Sequence, residues 1–188
     1  WGGDAVDLGI AKDTVNSLKS KLKKGLSCDM IVTIGGASIG DYDLVYKSLK
    51  EMNFKLNFWK IKMKPGKPLM FGFLKNKPII GLPGNPVSSM VCARLFLKQS
   101  IYKLQNHNYN ENIFNFRLGK DLPKNNWRES YVRGYISKNA NNQVVAMPIS
   151  NQDSSSLSSY AIADLLIIRE PNSKKIKKHS LVKAIILN

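Results

Sequence analysis

Hydrophobic positions in the first half of the chain recur with two periods, one typical of helices and one typical of strands. Helices are predicted over three stretches: residues 13–26, where Asp13 stands as the N-terminal cap, a second that begins at Asp41 or Asp43 and ends near Met52, and about 87–104. Short strands are predicted at 29–34, 69–74 and 77–82, and residues 55–63 are predicted to be extended. This alternation, with one hairpin, predicts an α/β fold in which helices are layered on a sheet.

The second half of the chain has a different pattern, made of short β-like runs. They follow a polar linker at 105–112 and are predicted at 113–118, 130–137, 143–148, 163–169 and 181–187. Turn-forming Asn, Pro and Ser residues separate the runs. This pattern predicts a small all-β barrel or sandwich, and with it a division of the chain into an α/β domain, 1–106, and a C-terminal β-barrel domain, 107–188.

Charge narrows the class of partner. The 188 residues carry a net charge of +16, from 29 Lys and Arg against 13 Asp and Glu. Such a surplus favours anionic partners, which include phosphorylated small molecules, nucleic acid and acidic membrane surfaces. Because the basic residues are spread without a compact polybasic block, composition explains the surplus better than a dedicated nucleic-acid surface. Nucleic-acid binding, which would weaken steeply with salt, stays as an alternative.

Cysteine and histidine are scarce. The two cysteines, Cys28 and Cys92, form no Cys-x-x-Cys pair, and the histidines are His107 and His179. A zinc site is not predicted from this set, and reduced thiols of a cytoplasmic protein are the simpler interpretation. No apolar run approaches the roughly 20 residues that cross a bilayer, so no membrane partner is expected.

A glycine-rich loop at 35–40 connects a predicted buried strand to a predicted helix. Glycines let the backbone approach a ligand closely, and N–H groups at a helix start bind anions; a tight structural turn is the alternative. The candidate contacts for an anionic ligand are Gly35, Gly36, Ser38 and Gly40. Of the two carboxylates that follow, Asp41 and Asp43, one is expected to cap the helix and the other is a candidate ligand of a divalent cation.

A basic segment follows the second predicted helix. Lys60, Lys62 and Lys64 alternate along residues predicted to be extended, which would place all three side chains on one face. Lys67 follows in a Pro-Gly turn. Such a face suits an oxyanion, and the alternative is a solvated lysine-rich edge strand that discourages aggregation.

The segment Gly81-Leu-Pro-Gly-Asn-Pro-Val-Ser88 ends a predicted strand and begins a helix. Pro86 suits the first helical turn, and Asn85 is a candidate cap. The loop contains more conformationally restricted residues than the end of a strand alone requires. In open α/β sheets ligands bind beyond the carboxyl ends of the strands, and both this loop and the glycine-rich loop are predicted there.

The order and combination of these segments resemble the molybdopterin molybdenumtransferase family, whose members include bacterial MoeA and the gephyrin E-domain. The resemblance covers essentially the whole chain and corresponds to the C-terminal portion of that family. The segments that carry it are Asp29-Met-Ile-Val-Thr-Ile-Gly-Gly-Ala-Ser-Ile-Gly-Asp-Tyr-Asp43, Lys64-Pro-Gly-Lys-Pro68, Gly81-Leu-Pro-Gly-Asn-Pro-Val-Ser-Ser89, Leu8-Gly-Ile-Ala-Lys-Asp13, Tyr131-Val-Arg-Gly134 and Gln152-Asp-Ser-Ser-Ser-Leu-Ser-Ser159.

The resemblance implies a three-layer α/β/α domain followed by a small β-barrel. It also implies insertion of molybdenum, from molybdate, into adenylylated molybdopterin, with release of AMP and assistance from Mg²⁺. By motif position the catalytic residues are Asp13, Asp43, Lys60 and Lys64, and the two aspartates are also the metal ligands. The implied substrate contacts are Gly35, Gly36, Ser38, Gly40, Lys67, Pro83, Gly84, Asn85, Pro86, Ser88 and Arg133, with a serine of 155–159.

The sequence departs from the family pattern in two ways. Asp153 stands where the family usually has glycine, which adds a negative charge and limits the backbone there. The strand and the glycine-acid motif that precede the Leu8 segment in the family are absent from these residues. The α/β domain is therefore expected to lack its first strand and helix, and the chain alone is expected to be catalytically weak or inactive.

Three other functions remain open. The related molybdopterin adenylyltransferase shares the glycine loop and the α/β fold, but residues 105–188 and the Lys-Pro-Gly-Lys segment count against it. A non-catalytic pterin-binding or dimerising module is the second, since gephyrin-like members use this region to dimerise. The third is nucleic-acid binding. By resemblance, a homodimer with its site between subunits and an adenylyltransferase partner are expected.

Overall fold

A computed structural model describes residues 1–36 and 43–187. The chain forms two compact units. The first contains residues 1–61 and 66–109, and the second contains residues 62–65 and 110–188. A short piece from the middle of the first half of the chain therefore belongs to the second unit.

The first unit contains a four-stranded sheet and helices. Its strands are β1 (Ile31–Ile34), β2 (Lys55–Trp59), β4 (Met70–Leu74) and β5 (Lys77–Leu82), in the order β1-β5-β4-β2. Its helices are α1 (Val15–Gly25), α2 (Leu44–Lys50), α3 (Pro86–Cys92) and α4 (Lys98–Leu104), and a π-helical segment, Ala93–Leu97, connects the last two.

Only one pair of strands in this sheet is parallel among the described residues. β1 lies parallel to β5, with Ile34 opposite Leu82, whereas β5, β4 and β2 are antiparallel. The sheet is therefore mixed rather than parallel, because the β4–β5 hairpin and β2 fill one side of it. The parallel pair places the carboxyl ends of β1 and β5 at the same edge.

Helices pack on the sheet in the layered manner expected. Leu22 of α1 and Leu49 of α2 join Ile79 of β5 in one buried hydrophobic cluster. The neighbouring Ile80 shares a small cavity with Phe96 of the π-helical segment. Because consecutive strand residues point to opposite faces of a sheet, α1 and α2 cover one face and the α3–α4 helix covers the other. The predicted α/β/α layers are confirmed.

The second unit is built around a closed five-strand barrel. Its strands are β6 (Ile113–Leu118), β7 (Glu129–Lys138), β8 (Val144–Pro148), β9 (Leu165–Arg169) and β10 (Leu181–Ile186). They pair in the order β7-β8-β6-β10-β9, and β9 pairs with β7 to close the ring. A two-residue strand, β3 (Met63–Lys64), adds to β7 in parallel. The predicted C-terminal barrel is confirmed.

Several local predictions were wrong for identifiable reasons. The cap of α1 is Thr14 rather than Asp13, because the Thr14 hydroxyl accepts the Ser17 N–H at 3.3 Å. The extended segment over 55–63 is interrupted after Trp59, where Lys60 has a φ of 69°. A five-residue helix, α5 (Leu157–Ala161), was not expected from its serine-rich sequence. No helix of the described ranges has the length and apolarity needed to span a membrane.

The two cysteines differ in their surroundings. Cys92 is fully buried, and burial raises the pKa of its thiol to about 12. Cys28 is only half-buried. We expect a thiol-specific aromatic disulfide reagent at pH 8 to modify Cys28 in the folded chain and both cysteines in denaturant, because the thiolate is the reactive form. Rapid modification of two thiols in the folded chain would contradict this burial of Cys92.

Candidate functional site

The loops that follow β1 and β5 meet at the shared sheet edge. The Gly35 N–H donates to the Leu82 carbonyl at 3.1 Å. A Cβ placed on Gly84 would lie 3.4 Å from the Gly35 Cα, so the two glycine backbones are in close contact. The predicted glycine-rich loop and the Pro-Gly-Asn-Pro loop, which are distant in sequence, are thus adjacent in the fold. Ser38 and Gly40 lie outside the described residues.

Gly36 is required by its surroundings as well as by its backbone. Its φ of 68° lies in the left-handed region, and a Cβ there would lie 2.4 Å from Cγ2 of Val45. Val45 lies in the first turn of α2 and is one of the buried residues of the hydrophobic cluster that contains Leu22, Leu49 and Ile79. The glycine therefore lets the β1 loop lie directly against the first turn of α2.

Asp43 caps α2 and is almost completely buried. Its Oδ1 accepts the Tyr46 N–H at 2.9 Å, and the residue is 5% exposed. One carboxylate was expected to cap this helix, and that carboxylate is Asp43. Asp13, the other predicted metal ligand, is exposed just before Thr14. No group of three or more His, Cys, Asp or Glu side chains suited to a metal occurs in the described part of the chain.

The predicted lysines are divided between the two units. Lys60 and Lys67 belong to the first unit, while Lys62 and Lys64 belong to the second. The expectation that Lys60, Lys62 and Lys64 share one face of a strand is wrong, because the backbone turns at Lys60. Lys64 is exposed and pairs with Ser130 in the β3–β7 ladder. Each lysine therefore has to be considered within its own unit.

The loop after β5 presents three exposed residues between buried ones. Pro83 and Ser88 are buried, while Gly84, Asn85 and Pro86 are exposed. Pro86 begins α3, as predicted. Asn85 occupies the cap position, but its side chain makes no capping hydrogen bond, which contradicts the capping role expected for it. The exposed part of the loop is the part that touches Gly35.

Arg133 is a buried residue of the barrel, 1% exposed. Its Nη2 donates to the carbonyls of Asn151 and Asp153, both at 3.0 Å, and burial lowers the pKa of the guanidinium. The Gln152 side chain accepts the Arg133 N–H and donates to the Arg133 carbonyl. These hydrogen bonds hold residues 151–153 against Arg133 and stabilise the conformation of that loop.

The unusual Asp153 is accommodated within the same loop. Its Oδ1 accepts both the backbone N–H and the hydroxyl of Ser155 at 2.9 Å. These bonds, with a smaller contribution from Arg133, lower the pKa of the Asp153 carboxyl. The added negative charge is therefore held by local hydrogen bonds of the serine-rich segment.

Comparison with known proteins assigns the class. The fold consists of an α/β unit, in which two glycine-containing loops meet at the carboxyl ends of a parallel strand pair, followed by a β-barrel. Residues 1–103 match the family described as a probable molybdopterin binding domain, and residues 115–187 match the MoeA C-terminal region, domain IV. The chain belongs to this molybdopterin-binding family.

Individual relatives agree with the family match. A molybdopterin molybdenumtransferase from Haemophilus influenzae is 32% identical over 89% of this chain and 42% of its own length. The molybdenum cofactor synthesis protein cinnamon from Drosophila melanogaster is 34% identical over 74% of this chain and 23% of its own length. The chain thus spans less than half the length of these curated relatives.

Solved structures support the fold. A molybdopterin biosynthesis MoeA protein from Pyrococcus horikoshii superposes with a TM-score of 0.80 at 24% identity, over 100% of this chain and 44% of that protein. A molybdenum cofactor biosynthesis protein from Pyrococcus furiosus superposes with a TM-score of 0.73 at 19% identity, over 95% and 56%. At these identities the likeness concerns the fold alone.

Proposed function

We propose that the chain is part of a molybdopterin molybdenumtransferase, which inserts molybdenum from molybdate into adenylylated molybdopterin and releases AMP. The observation that supports this proposal is the contact between Gly35 and Gly84, which brings to one sheet edge the two loops that the family resemblance implies as substrate contacts. Glycine backbones at such an edge allow close approach of a phosphate to the main-chain amides.

An anionic substrate suits the basic character of the chain. We propose that backbone amides of Gly35, Gly36 and Gly84 receive the pterin phosphate, with Ser38, Gly40, Asn85 and Ser88 completing the loop contacts. Lys60 and Lys67, both of the first unit, supply positive charge toward phosphate or molybdate oxygens. The net charge of +16 attracts such a ligand at long range. No acid–base pair is needed, because phosphoanhydride cleavage depends mainly on positioning and electrostatics.

Mg²⁺ is the metal that the resemblance implies, and we propose that Asp43 and Asp13 would hold it. Asp43 offers a carboxylate that the Tyr46 N–H holds in place, and Asp13 offers an exposed one. Mg²⁺ commonly binds through one or two carboxylates together with substrate phosphates, so a larger cluster of acidic residues is not required. Bound there, the ion neutralises charge on the phosphoanhydride.

The barrel contributes indirectly in this proposal. Arg133 was expected to contact the substrate, but its Nη2 donates to the carbonyls of Asn151 and Asp153. We infer that Arg133 shapes the 151–155 loop by these hydrogen bonds.

Further partners follow from the same assignment. An adenylyltransferase that produces the adenylylated pterin is the proposed supplier of substrate, and a homodimer in the cytoplasm is the proposed working form. A second candidate function is a pterin-binding module without turnover.

Asp43→Asn is the test of the proposed chemistry. Asn caps helices about as well as Asp, so we expect the melting temperature to change little. Molybdate-dependent AMP release from adenylylated molybdopterin is expected to fall by about 100-fold, because the charge that holds Mg²⁺ is lost. The measurement is AMP release by the chain, or by the longer protein that contains it, at fixed Mg²⁺.

Asp29→Asn is the matched control, because it removes an exposed carboxylate whose only described ion pair is a 3.9 Å contact with Lys77. Its AMP release is expected to equal that of the unaltered chain. Unchanged release by Asp43→Asn would remove Asp43 from the site. AMP binding without any release by the unaltered chain would favour the non-catalytic module.

A further inference from the structure

Lys60 is held in a defined backbone position at the end of β2. Its φ of 69° is in the left-handed region, which is unfavourable for a residue with a side chain. The Lys60 N–H donates to the Leu69 carbonyl at 3.1 Å, and the next residue, Ile61, donates to the Lys67 carbonyl at 2.9 Å. These bonds stabilise the turn, and the turn directs the side chain of Lys60 away from the path of the strand.

The side chain of Lys60 lies over an aromatic ring. Its Nζ is 4.7 Å from the centroid of the Trp59 ring, which is within the range of a cation–π contact. The Trp59 ring also contacts Tyr46 of α2, with centroids 4.8 Å apart and planes inclined by 32°. The aromatic pair therefore connects the ammonium group to α2.

The same connection continues to the carboxylate of the site. The backbone N–H of Tyr46 donates to Oδ1 of Asp43 at 2.9 Å. Asp43, Tyr46, Trp59 and Lys60 thus form a continuous series of contacts within the first unit. One end of the series is a buried carboxylate and the other end is an exposed cation.

The indole of Trp59 lowers the stability of the fold in a way that a phenylalanine ring would not. Its indole N–H is buried and has no hydrogen-bond partner in the described part of the chain. A buried donor without a partner is destabilising, and its replacement by an apolar group of similar shape is close to neutral or favourable. Stability alone therefore does not explain an indole at this position, whereas a cation–π contact does, because indole is the best of the aromatic partners.

We propose that Trp59 is a positioning residue, whose ring holds the ammonium of Lys60 toward the anionic ligand and is itself held by Tyr46. The proposal rests on the proposed function, in which Lys60 faces phosphate or molybdate. Trp59 does not touch the substrate. It limits the directions that the Lys60 side chain adopts, so that less side-chain freedom is lost when the ligand binds.

The contact itself is tested by NMR on the 188-residue chain. Protons above an aromatic ring resonate upfield, so we expect the ε-methylene protons of Lys60, assigned with Lys60→Arg, to be shifted upfield. Trp59→Leu is expected to abolish this shift, and Trp59→Phe to retain part of it. Signal dispersion of the core residues reports whether each variant is folded. An unshifted Lys60 in the unaltered chain would overturn the proposal.

The consequence for binding is tested with AMP as the probe. We expect Trp59→Leu to weaken AMP binding by about threefold to fivefold and Trp59→Phe to restore part of the loss. Tyr109→Leu is the matched control, because Lys98 lies 4.8 Å from the Tyr109 ring in a similar contact outside the proposed site. Its AMP affinity is expected to be unchanged.

The outcomes separate this inference from the function on which it rests. Equal AMP affinity of the unaltered chain and Trp59→Leu would overturn the positioning role and leave the proposed function intact. A loss that Trp59→Phe fails to restore would also overturn it, because the aromatic face would not be the relevant feature. Absence of AMP binding by the unaltered chain would overturn both, since Lys60 would then have no ligand to face.

Discussion

Arg133→Leu is expected to lower the stability of the barrel unit by about 3 kcal/mol or more, a loss large enough to unfold it at moderate temperature. Arg133 is 1% exposed, and its guanidinium donates to two loop carbonyls at 3.0 Å. Hydrogen bonds from a charged group contribute about 1.5–3 kcal/mol each, and acceptors left without a partner add a desolvation cost. Leucine supplies neither donor and is too short to fill the same space.

Two further variants test whether the loss of stability comes from the hydrogen bonds of the buried Arg133 guanidinium. Arg117→Leu removes an exposed arginine that donates to the His179 carbonyl at 3.1 Å, and its cost is expected to be about 1 kcal/mol or less. Arg133→Lys keeps the charge but loses the planar geometry, so an intermediate loss is expected. Denaturant unfolding followed by near-ultraviolet circular dichroism measures all three. Similar losses for Arg133→Leu and Arg117→Leu would contradict the supporting role of Arg133.

Gly36→Ala is expected to destabilise the first unit by roughly 2–5 kcal/mol and to weaken AMP binding by about tenfold or more. The left-handed backbone contributes about 1–2 kcal/mol of this loss for any residue with a Cβ. Overpacking contributes about 1–3 kcal/mol, because the new Cβ would lie 2.4 Å from Cγ2 of the buried Val45. Relief of that clash requires the β1 loop to move away from α2, which displaces the proposed phosphate contacts.

Gly35→Ala separates these two effects. Gly35 has a similar φ of 77°, but a Cβ there would meet the Gly84 Cα at 3.9 Å, an ordinary contact. Only the backbone cost is expected, so its unfolding free energy and AMP affinity should lie between those of Gly36→Ala and the unaltered chain. Thermal unfolding and titration with AMP give both quantities. Equal losses for the two alanine variants would show that Val45 is not the cause.

Local patterns predicted the elements whose stability is local. The β4–β5 hairpin is an example, since two apolar runs flank a turn in which Lys75 and Asn76 have φ values of 47° and 66°. Positive φ at both central residues is typical of the tight hairpin turn, and Asn tolerates it. The strands of the barrel were likewise predicted, because each is a short β-like run bounded by turn-forming residues.

The ligand loops were predicted from glycine and proline, but their contact with each other was not. The parallel register of β1 and β5 is what brings Gly35 to Gly84, and register is a tertiary property. The interruption at Lys60 was missed for the same reason. A lysine with a positive φ has no local signal, and the turn is maintained by bonds to Leu69 and Lys67 further along the chain.

Residues 62–65 belong to the barrel unit although they are far from it in sequence, and this affects both proteolysis and synthesis of the chain. The chain passes between the units three times, after Ile61, after Pro65 and after Tyr109. Release of the barrel by one proteolytic cut after Tyr109 would therefore leave β3 behind and remove the partner of Glu129 and Ser130 in β7. During synthesis, β3 leaves the ribosome long before the strand with which it pairs. Transfer of residues 110–188 alone to another protein would likewise lose that strand, so the two units are expected to be inherited together.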